Sequence, residues 1–255
     1  MSDVRIGVQL QPQHAGEYRL VRDAVLRAED AGVDIVFNWD HFFPLTGDPE
    51  GYHYECWTML GAWAEQTERV QIGALVTGGG YRNPDLLADM ARTVDHISDG
   101  RLILGVGAGW NERDYAEYGY EFGTPGTRLA LFKEYLPRLV GRLQRLTPAP
   151  VGELPLLIGG GGERKTLRLV AEYADMWHAF GDLETFTHKS AVLERHCADV
   201  GRDASQIPRS TAWPGADQAD AFVDAGVGLF TIGTTGPDYD LDEVRAAVAW
   251  RDTRG

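Results

Sequence analysis

Short apolar runs alternate with longer amphipathic segments along the chain. The first run covers residues 4–10, and residues 17–31 follow it with apolar side chains at helical spacing up to a stop at Gly32. The pattern predicts seven further strands, at residues 33–43, 70–76, 101–106, 154–158, 175–180, 209–213 and 227–232. It also predicts seven further long helices, at residues 55–67, 84–97, 127–145, 163–173, 183–200, 217–225 and 241–250. A short helix is expected at residues 112–118, and Pro137 is expected to kink or break the helix at residues 127–145.

The predicted strands are short and nearly all apolar, as expected of parallel strands that are covered on both faces. Eight strands alternating with eight long helices favour a (β/α)₈ TIM barrel over an open doubly wound sheet, which has fewer strands. A length of 255 residues fits one such barrel, so we predict a single domain over residues 1–255. In a barrel, the functional groups gather where the strands end.

The second predicted strand ends in a polar group of residues, Asn38-Trp39-Asp40-His41. Asp40 and His41 are candidates for acid or base chemistry, because histidine titrates near neutral pH and a carboxylate can orient its ring. Adjacent residues of an extended strand point in opposite directions, so a direct Asp40–His41 bond requires the chain to turn there. The alternative is that Asp40 caps a turn and His41 is a hydrogen-bonded histidine of the core.

Glycine clusters follow four of the predicted strands, at residues 78–80, 107–109, 159–162 and 233–236. Glycine lets a flat ring or a phosphate approach the backbone closely, although it is also common in ordinary turns. Several clusters at the same end of one barrel favour a cofactor site.

Two nucleotide-binding motifs are excluded by single residues. Residues 105–110 are not a GxGxxG motif, because Trp110 stands where the third glycine belongs. Residues 159–166 are not a Walker A loop, because Arg164 replaces the glycine before Lys165. What remains at residues 159–166 is a glycine turn and a helix start, whose free N–H groups favour an anion.

The composition narrows the possible partners. The 24 basic and 38 acidic residues give a net charge of −14, which argues against binding to nucleic acid or to an anionic membrane and favours a small-molecule substrate.

Cys56 and Cys197 are far apart in the sequence, so neither a disulfide framework nor a structural zinc site is expected. The histidines lack metal-binding spacing, so no metal is predicted. The absence of a signal-peptide pattern and of a long apolar run predicts a cytoplasmic protein.

Several segments together resemble a known family. The chain resembles the bacterial luciferase-like monooxygenase superfamily, and within it the actinobacterial oxidoreductases that use the deazaflavin coenzyme F420. The likeness runs from about residue 4 to residue 180 and rests on these segments: residues 28–42, 67–73, Tyr81-Arg82-Asn83-Pro84, residues 98–110 and residues 159–162.

The resemblance implies a luciferase-like barrel, often a homodimer, with a deazaflavin or flavin across the ends of the strands. It implies that Asp40 lies in the cofactor pocket and that His41 acts as the base. It also implies a non-proline cis peptide bond between Leu75 and Val76, which places a bulge against the cofactor ring. The residues matched to the cofactor tail are Ala108, Gly109, Gly159, Gly160, Gly161 and Gly162.

The chain departs from the F420-dependent sugar-phosphate dehydrogenases at Trp110, where those enzymes have a glutamate. We expect Trp110, together with Trp39, to line the substrate pocket. The basic residues that hold a sugar phosphate in those enzymes are not recognisable here. The insertions before the fifth strand and the last helix are predicted to be shortened.

The main hypothesis is therefore hydride transfer between coenzyme F420 and a small organic substrate, with His41 as general acid or base. The first alternative is an FMN-dependent monooxygenase that uses reduced FMN and oxygen. The second alternative is a flavin- or deazaflavin-binding protein without catalytic activity.

Overall fold

The computed structural model describes residues 4–254. Within them, a closed parallel sheet has eight strand positions, because β3 and β4 are two parts of the predicted third strand and both pair with β5. The strand segments are β1 Arg5–Gln11, β2 Ile35–Asn38, β3 Gln71–Ala74, β4 Thr77–Gly78, β5 Leu102–Gly107, β6 Leu156–Gly159, β7 Met176–His178, β8 Arg209–Ala212 and β9 Val227–Thr235. The predicted (β/α)₈ TIM barrel is confirmed.

The helices cover the outside of this barrel. Their bounds are α1 Tyr18–Asp30, α2 Cys56–Gln66, α3 Pro84–Ile97, α4 Glu112–Tyr118, α5 Pro125–Leu143, α6 Thr166–Tyr173, α7 Leu183–Val200, α8 Ala216–Asp224 and α9 Asp242–Asp252. Pro137 lies inside α5 without breaking it. No helix between residues 4 and 254 is both long enough and apolar enough to cross a membrane.

Two apolar layers explain why the strands are apolar along nearly their whole length. One layer fills the barrel interior, with Val76 packed against its buried side chains, which are Ile35, Phe37, Leu75, Ile103, Leu157, Met176 and Leu229. The other layer lies between the strands and the helices and includes Trp63 and Trp177. Successive residues of a strand therefore face one apolar layer and then the other.

The second strand is shorter than predicted. β2 ends at Asn38, so the prediction of a strand through residue 43 is wrong. The pairing of β2 with β3 ends at Asn38, and further along the chain the Phe42 N–H donates to Asp114 Oδ1 at 3.0 Å. This early exit from the sheet places Asp40 and His41 in the mouth of the barrel.

The third strand is interrupted where the resemblance implies a bulge. The peptide bond between Leu75 and Val76 is cis, as expected. The Val76 side chain packs on the backbone of β5 and β6, where a Cβ at Gly107 would come within 2.8 Å of it and a Cβ at Gly159 within 3.0 Å. These two glycines therefore make room for Val76, and not directly for a cofactor.

Candidate active site

A cavity of about 840 Å³ opens at the carboxyl ends of the strands. It is large enough for a ring cofactor together with a small substrate. The predicted site residues that line it are Trp39, Asp40, His41, Leu75, Val76, Ala108, Gly109, Trp110, Gly159, Gly160 and Gly161. Gly162 is exposed and is not part of this lining.

His41 is held by a carboxylate that the sequence did not reveal. Its Nδ1 lies 2.5 Å from Asp114 Oδ2, and the Asp114 side chain is completely buried. The same carboxylate accepts hydrogen bonds from the Phe42 N–H, the Tyr81 hydroxyl at 2.9 Å and the Asn111 amide at 3.0 Å. Asp114 thus ties together three segments: the chain after β2, the chain after β4 and the start of α4.

The protonation of this pair follows from its contacts. Burial would raise the pKa of Asp114, but the hydrogen bonds from His41, Phe42 and Tyr81 hold that pKa below its usual value. An ionised carboxylate only accepts hydrogen bonds, so His41 Nδ1 carries the proton and donates it. His41 Nε2 is on the other side of the ring from this bond, and the ring lines the cavity.

Asp40 has a different partner. Arg82 forms a two-pronged ion pair with it, Nη1 to Oδ2 and Nη2 to Oδ1, the second at 3.1 Å, and Arg82 Nη2 also contacts Glu55 at 2.8 Å. The Asp40 side chain is completely buried, which raises the pKa of its carboxyl, and the guanidinium opposes that rise. Asp40 and His41 therefore do not form the pair considered from the sequence, because each is bonded to a residue of another segment.

We expect Arg82→Ala to lower the free energy of unfolding by about 3 to 5 kcal/mol, because it leaves the Asp40 carboxylate buried without a counter-charge. Urea unfolding of the two proteins measures the difference. The matched control is Arg245→Ala, which removes an exposed ion pair with Asp242 and is expected to leave the unfolding curve unchanged. An Arg82→Ala protein as stable as the parent would show that the buried pair adds nothing.

Gln9 supports the floor of the cavity. Its amide Nε2 donates to the Leu75 carbonyl at 2.7 Å, so the end of β1 fixes the bulge between β3 and β4. Val76 fills the space between that bulge and β6. The result is an apolar floor at the centre of the barrel mouth, of the kind on which a flat ring can lie.

The glycine turn after β6 forms one wall. The Gly160 N–H donates to the His178 carbonyl at 2.9 Å, and the Trp177 indole donates to the Gly160 carbonyl at 2.8 Å. A Cβ at Gly161 would lie 2.5 Å from Lys189 Nζ, so the ammonium group of α7 reaches over this turn. With the start of α6 at Thr166 beside it, the wall combines free N–H groups and a positive charge, which suits an anion.

Aromatic side chains surround the entrance. Trp110 is 64% exposed and Phe180 is 69% exposed, although both line the cavity. The Trp110 ring stands edge-on to His41, with ring centres 5.5 Å apart. Trp39 is buried beside His41 and donates its indole N–H to His53 at 3.1 Å, while burial lowers the pKa of His53 to about 4. The two tryptophans predicted for the substrate pocket therefore both stand edge-on to His41, with the Trp39 ring centre 5.9 Å away.

Four residues of the site were missed from the sequence: Gln9, Arg82, Asp114 and His178. Gln9 and His178 each belong to a strand end, and Arg82 belongs to a segment that carries the resemblance, so position alone could have singled these three out. Asp114 gives no such signal, because its helix carries exposed acids as well.

Within residues 4–254, no cluster of three or more histidine, cysteine or acidic side chains could hold a metal ion.

A closed parallel barrel with its polar groups at the carboxyl ends of the strands is the architecture of barrel enzymes. Residues 4–221 match the family described as luciferase-like monooxygenase, and the chain belongs to this family.

Known relatives use two kinds of cofactor. The F420-dependent glucose-6-phosphate dehydrogenase of Amycolatopsis mediterranei is 37% identical over 134 residues, which cover 51% of this chain and 39% of that protein. An F420-dependent secondary alcohol dehydrogenase, solved with an F420–acetone adduct, superposes with a TM-score of 0.85 at 18% identity over 98% of this chain and 99% of that chain. A type II Baeyer–Villiger monooxygenase from Pseudomonas putida, solved with FMN, has a TM-score of 0.64 at 15% identity over 82% of this chain and 67% of that chain. The two solved structures share the barrel fold of this chain.

Proposed function

We propose that the protein transfers a hydride between coenzyme F420 and a small organic substrate, with His41 as the proton donor or acceptor. The observation that carries this proposal is the buried His41–Asp114 pair beside an apolar floor and a glycine wall. The bound deazaflavin would supply or accept the hydride at a ring carbon. The protein must then position the ring, exclude water and move one proton, and His41 is placed for the last of these tasks.

The residues present fit such a cofactor. The floor at Val76 offers a flat apolar surface, and the wall at Gly161 places Lys189 beside the uncapped N–H groups at the start of α6. Asp40 lies in the cavity lining with its charge balanced by Arg82. These features suit a ligand with a planar ring and an anionic tail.

The charge of the lining favours an uncharged substrate. Among the described residues that line the cavity there is neither lysine nor arginine, and Lys189 lies against the glycine turn at one wall without being part of the lining. A phosphorylated substrate above His41 would find no cation to pair with it, whereas Trp110 and Phe180 offer apolar surface. We therefore propose a small alcohol, carbonyl compound or enone as the substrate class.

An FMN-dependent monooxygenase is the second candidate, because the same wall would hold the phosphate of FMN and one structural neighbour contains FMN. A binding protein without catalytic activity is the third candidate.

The single domain over residues 1–255, the homodimer and the cytoplasmic location stay predictions from the sequence.

The test is hydride exchange. Oxidised and reduced F420 are each mixed with the protein and a panel of alcohols, carbonyl compounds and enones, and the ring absorbance is followed over time. The proposal expects at least one substrate to change the redox state of the ring catalytically. Binding of F420 without exchange on any substrate would support the third candidate, and oxygen-dependent turnover with reduced FMN alone would support the second.

We expect Lys189→Gln to weaken F420 binding by about 10-fold at low salt, because it removes one charge-assisted contact to the anionic tail. The loss should shrink at high salt, where that contact is screened. Fluorescence titration at two salt concentrations measures both effects, and Lys133→Gln, an exposed lysine of α5, is the matched control. Equal affinity of the Lys189→Gln and parent proteins at low salt would remove Lys189 from the cofactor site.

A further inference from the structure

A second histidine faces the cavity from the far side of the barrel. His178 is the last residue of β7, is 3% exposed and lines the cavity. Its strand lies four positions from β2 in either direction around the closed sheet, so His178 and His41 stand on opposite walls. The chemistry assigned to His41 makes no use of it.

The His178 ring is fixed at one nitrogen and unsatisfied at the other. Nδ1 lies 2.8 Å from the hydroxyl oxygen of Ser210 on β8. Nε2 is buried and has no hydrogen-bond partner among residues 4–254. Buried polar atoms are nearly always paired, so an unpaired nitrogen held rigidly in a cavity wall indicates the place of a ligand atom.

The height of His178 in the barrel indicates which ligand this is. It pairs in register with Gly159, the residue on which the Val76 side chain packs. His178 therefore lies at the level of the apolar floor and not at the entrance, where Phe180 stands edge-on to it with ring centres 4.8 Å apart. A ring cofactor on the floor would bring its edge to this height.

The ring is also neutral. Burial lowers the pKa of His178 to about 4, so the imidazole carries no charge at neutral pH. Because a serine hydroxyl can donate or accept, Nε2 can present either an N–H or a lone pair to the ligand. Both flavins and deazaflavins carry ring nitrogens and carbonyl oxygens along one edge, and these atoms match either form.

We propose that His178 Nε2, held in place by Ser210, hydrogen-bonds the polar edge of the cofactor ring and sets its orientation above Val76. This inference rests on the proposed function, since it takes the ring cofactor to lie on the floor of the barrel. His178 is thus a cofactor-binding residue, and Ser210 is a positioning residue behind it.

The test is a fluorescence titration of the full-length protein and its variants with F420 and with FMN, together with the absorbance spectrum of each bound ring. For the cofactor that the parent protein binds, His178→Ala should raise the dissociation constant about 3- to 10-fold and move the bound spectrum toward that of the free cofactor. His178→Gln, whose amide reaches close to the position of Nε2, should restore most of both. Ser210→Ala should have a smaller effect in the same direction.

The control is His96→Ala, an exposed histidine of α3 that should behave as the parent protein. If His178→Ala does not fold, His178→Phe, which keeps an aromatic ring but lacks both nitrogens, takes its place beside Ser210→Ala in the comparison of affinity and spectrum. Unchanged affinity and spectrum in every folded variant at these two positions would overturn the inference while leaving the proposed function intact. A parent protein that binds neither cofactor would overturn both.

Discussion

Replacing His41 with alanine is expected to lower turnover by about 10²- to 10⁴-fold, while the affinity for the cofactor stays within a few-fold. The His41 ring lines the cavity, and its Nδ1 is already bonded to Asp114 at 2.5 Å, which leaves Nε2 as the nitrogen proposed to transfer the proton. Its removal takes away the proton donor or acceptor but leaves the floor at Val76 and the wall at Gly160 in place. Steady-state kinetics and a cofactor titration on the same preparation measure the two quantities.

His96→Ala is the control here also, because this exposed side chain hydrogen-bonds the Ala149 carbonyl and lies outside the cavity lining. It should keep the turnover of the parent protein. If His41→Ala turned over at the same rate as the control, His41 would have no part in the proton transfer.

Asp114→Asn is expected to lower turnover by about 10²- to 10³-fold, because it places His41 in the wrong tautomer. The carboxylate accepts four hydrogen bonds, whereas an asparagine has one acceptor oxygen and one N–H₂ group in their place. Where the N–H₂ group faces His41, Nδ1 must become the acceptor, and the ring proton moves to Nε2. The nitrogen in the cavity then no longer serves as a base.

A double-variant cycle separates this role from a structural one. If Asp114 acts through His41, the variant with both substitutions should be about as slow as His41→Ala alone. Glu117→Gln, at an exposed position of the same helix, should change neither turnover nor stability. Additive losses in the double variant would mean that Asp114 acts on turnover independently of His41.

The barrel could be predicted because its determinants are local. Apolar runs of strand length, helical spacing between them and glycine stops all recur along the sequence, and they placed all eight strand positions. The bounds of β2 and β3 could not be predicted in the same way. Residues 39–43 are as aromatic as a strand, but the Phe42 N–H is bonded to the Asp114 side chain, 72 residues further along the chain, and not to a neighbouring strand.

The residues of the site also differ in whether local sequence could predict them. Asp40, His41 and three of the four predicted glycines after β6 line the cavity at strand ends, as predicted, and the cis peptide bond at Leu75–Val76 was predicted from the resemblance. The partners of Asp40 and His41 were not found, since Arg82 and Asp114 come from other segments and are charged residues in sequence surroundings typical of a surface. His178 stands at a strand end, but a histidine after a buried apolar strand also has the pattern of an ordinary core residue. The unpaired Nε2 distinguishes the two cases in the structure.

Cofactor binding distinguishes an F420-dependent enzyme from an FMN-dependent one. The purified protein is titrated with F420 and, separately, with FMN, and the ring fluorescence is followed to saturation. A barrel built for hydride transfer to or from deazaflavin should bind F420 with a dissociation constant on the order of micromolar or below, and should bind it more tightly than FMN. Binding of FMN alone, or of neither compound, would contradict the account.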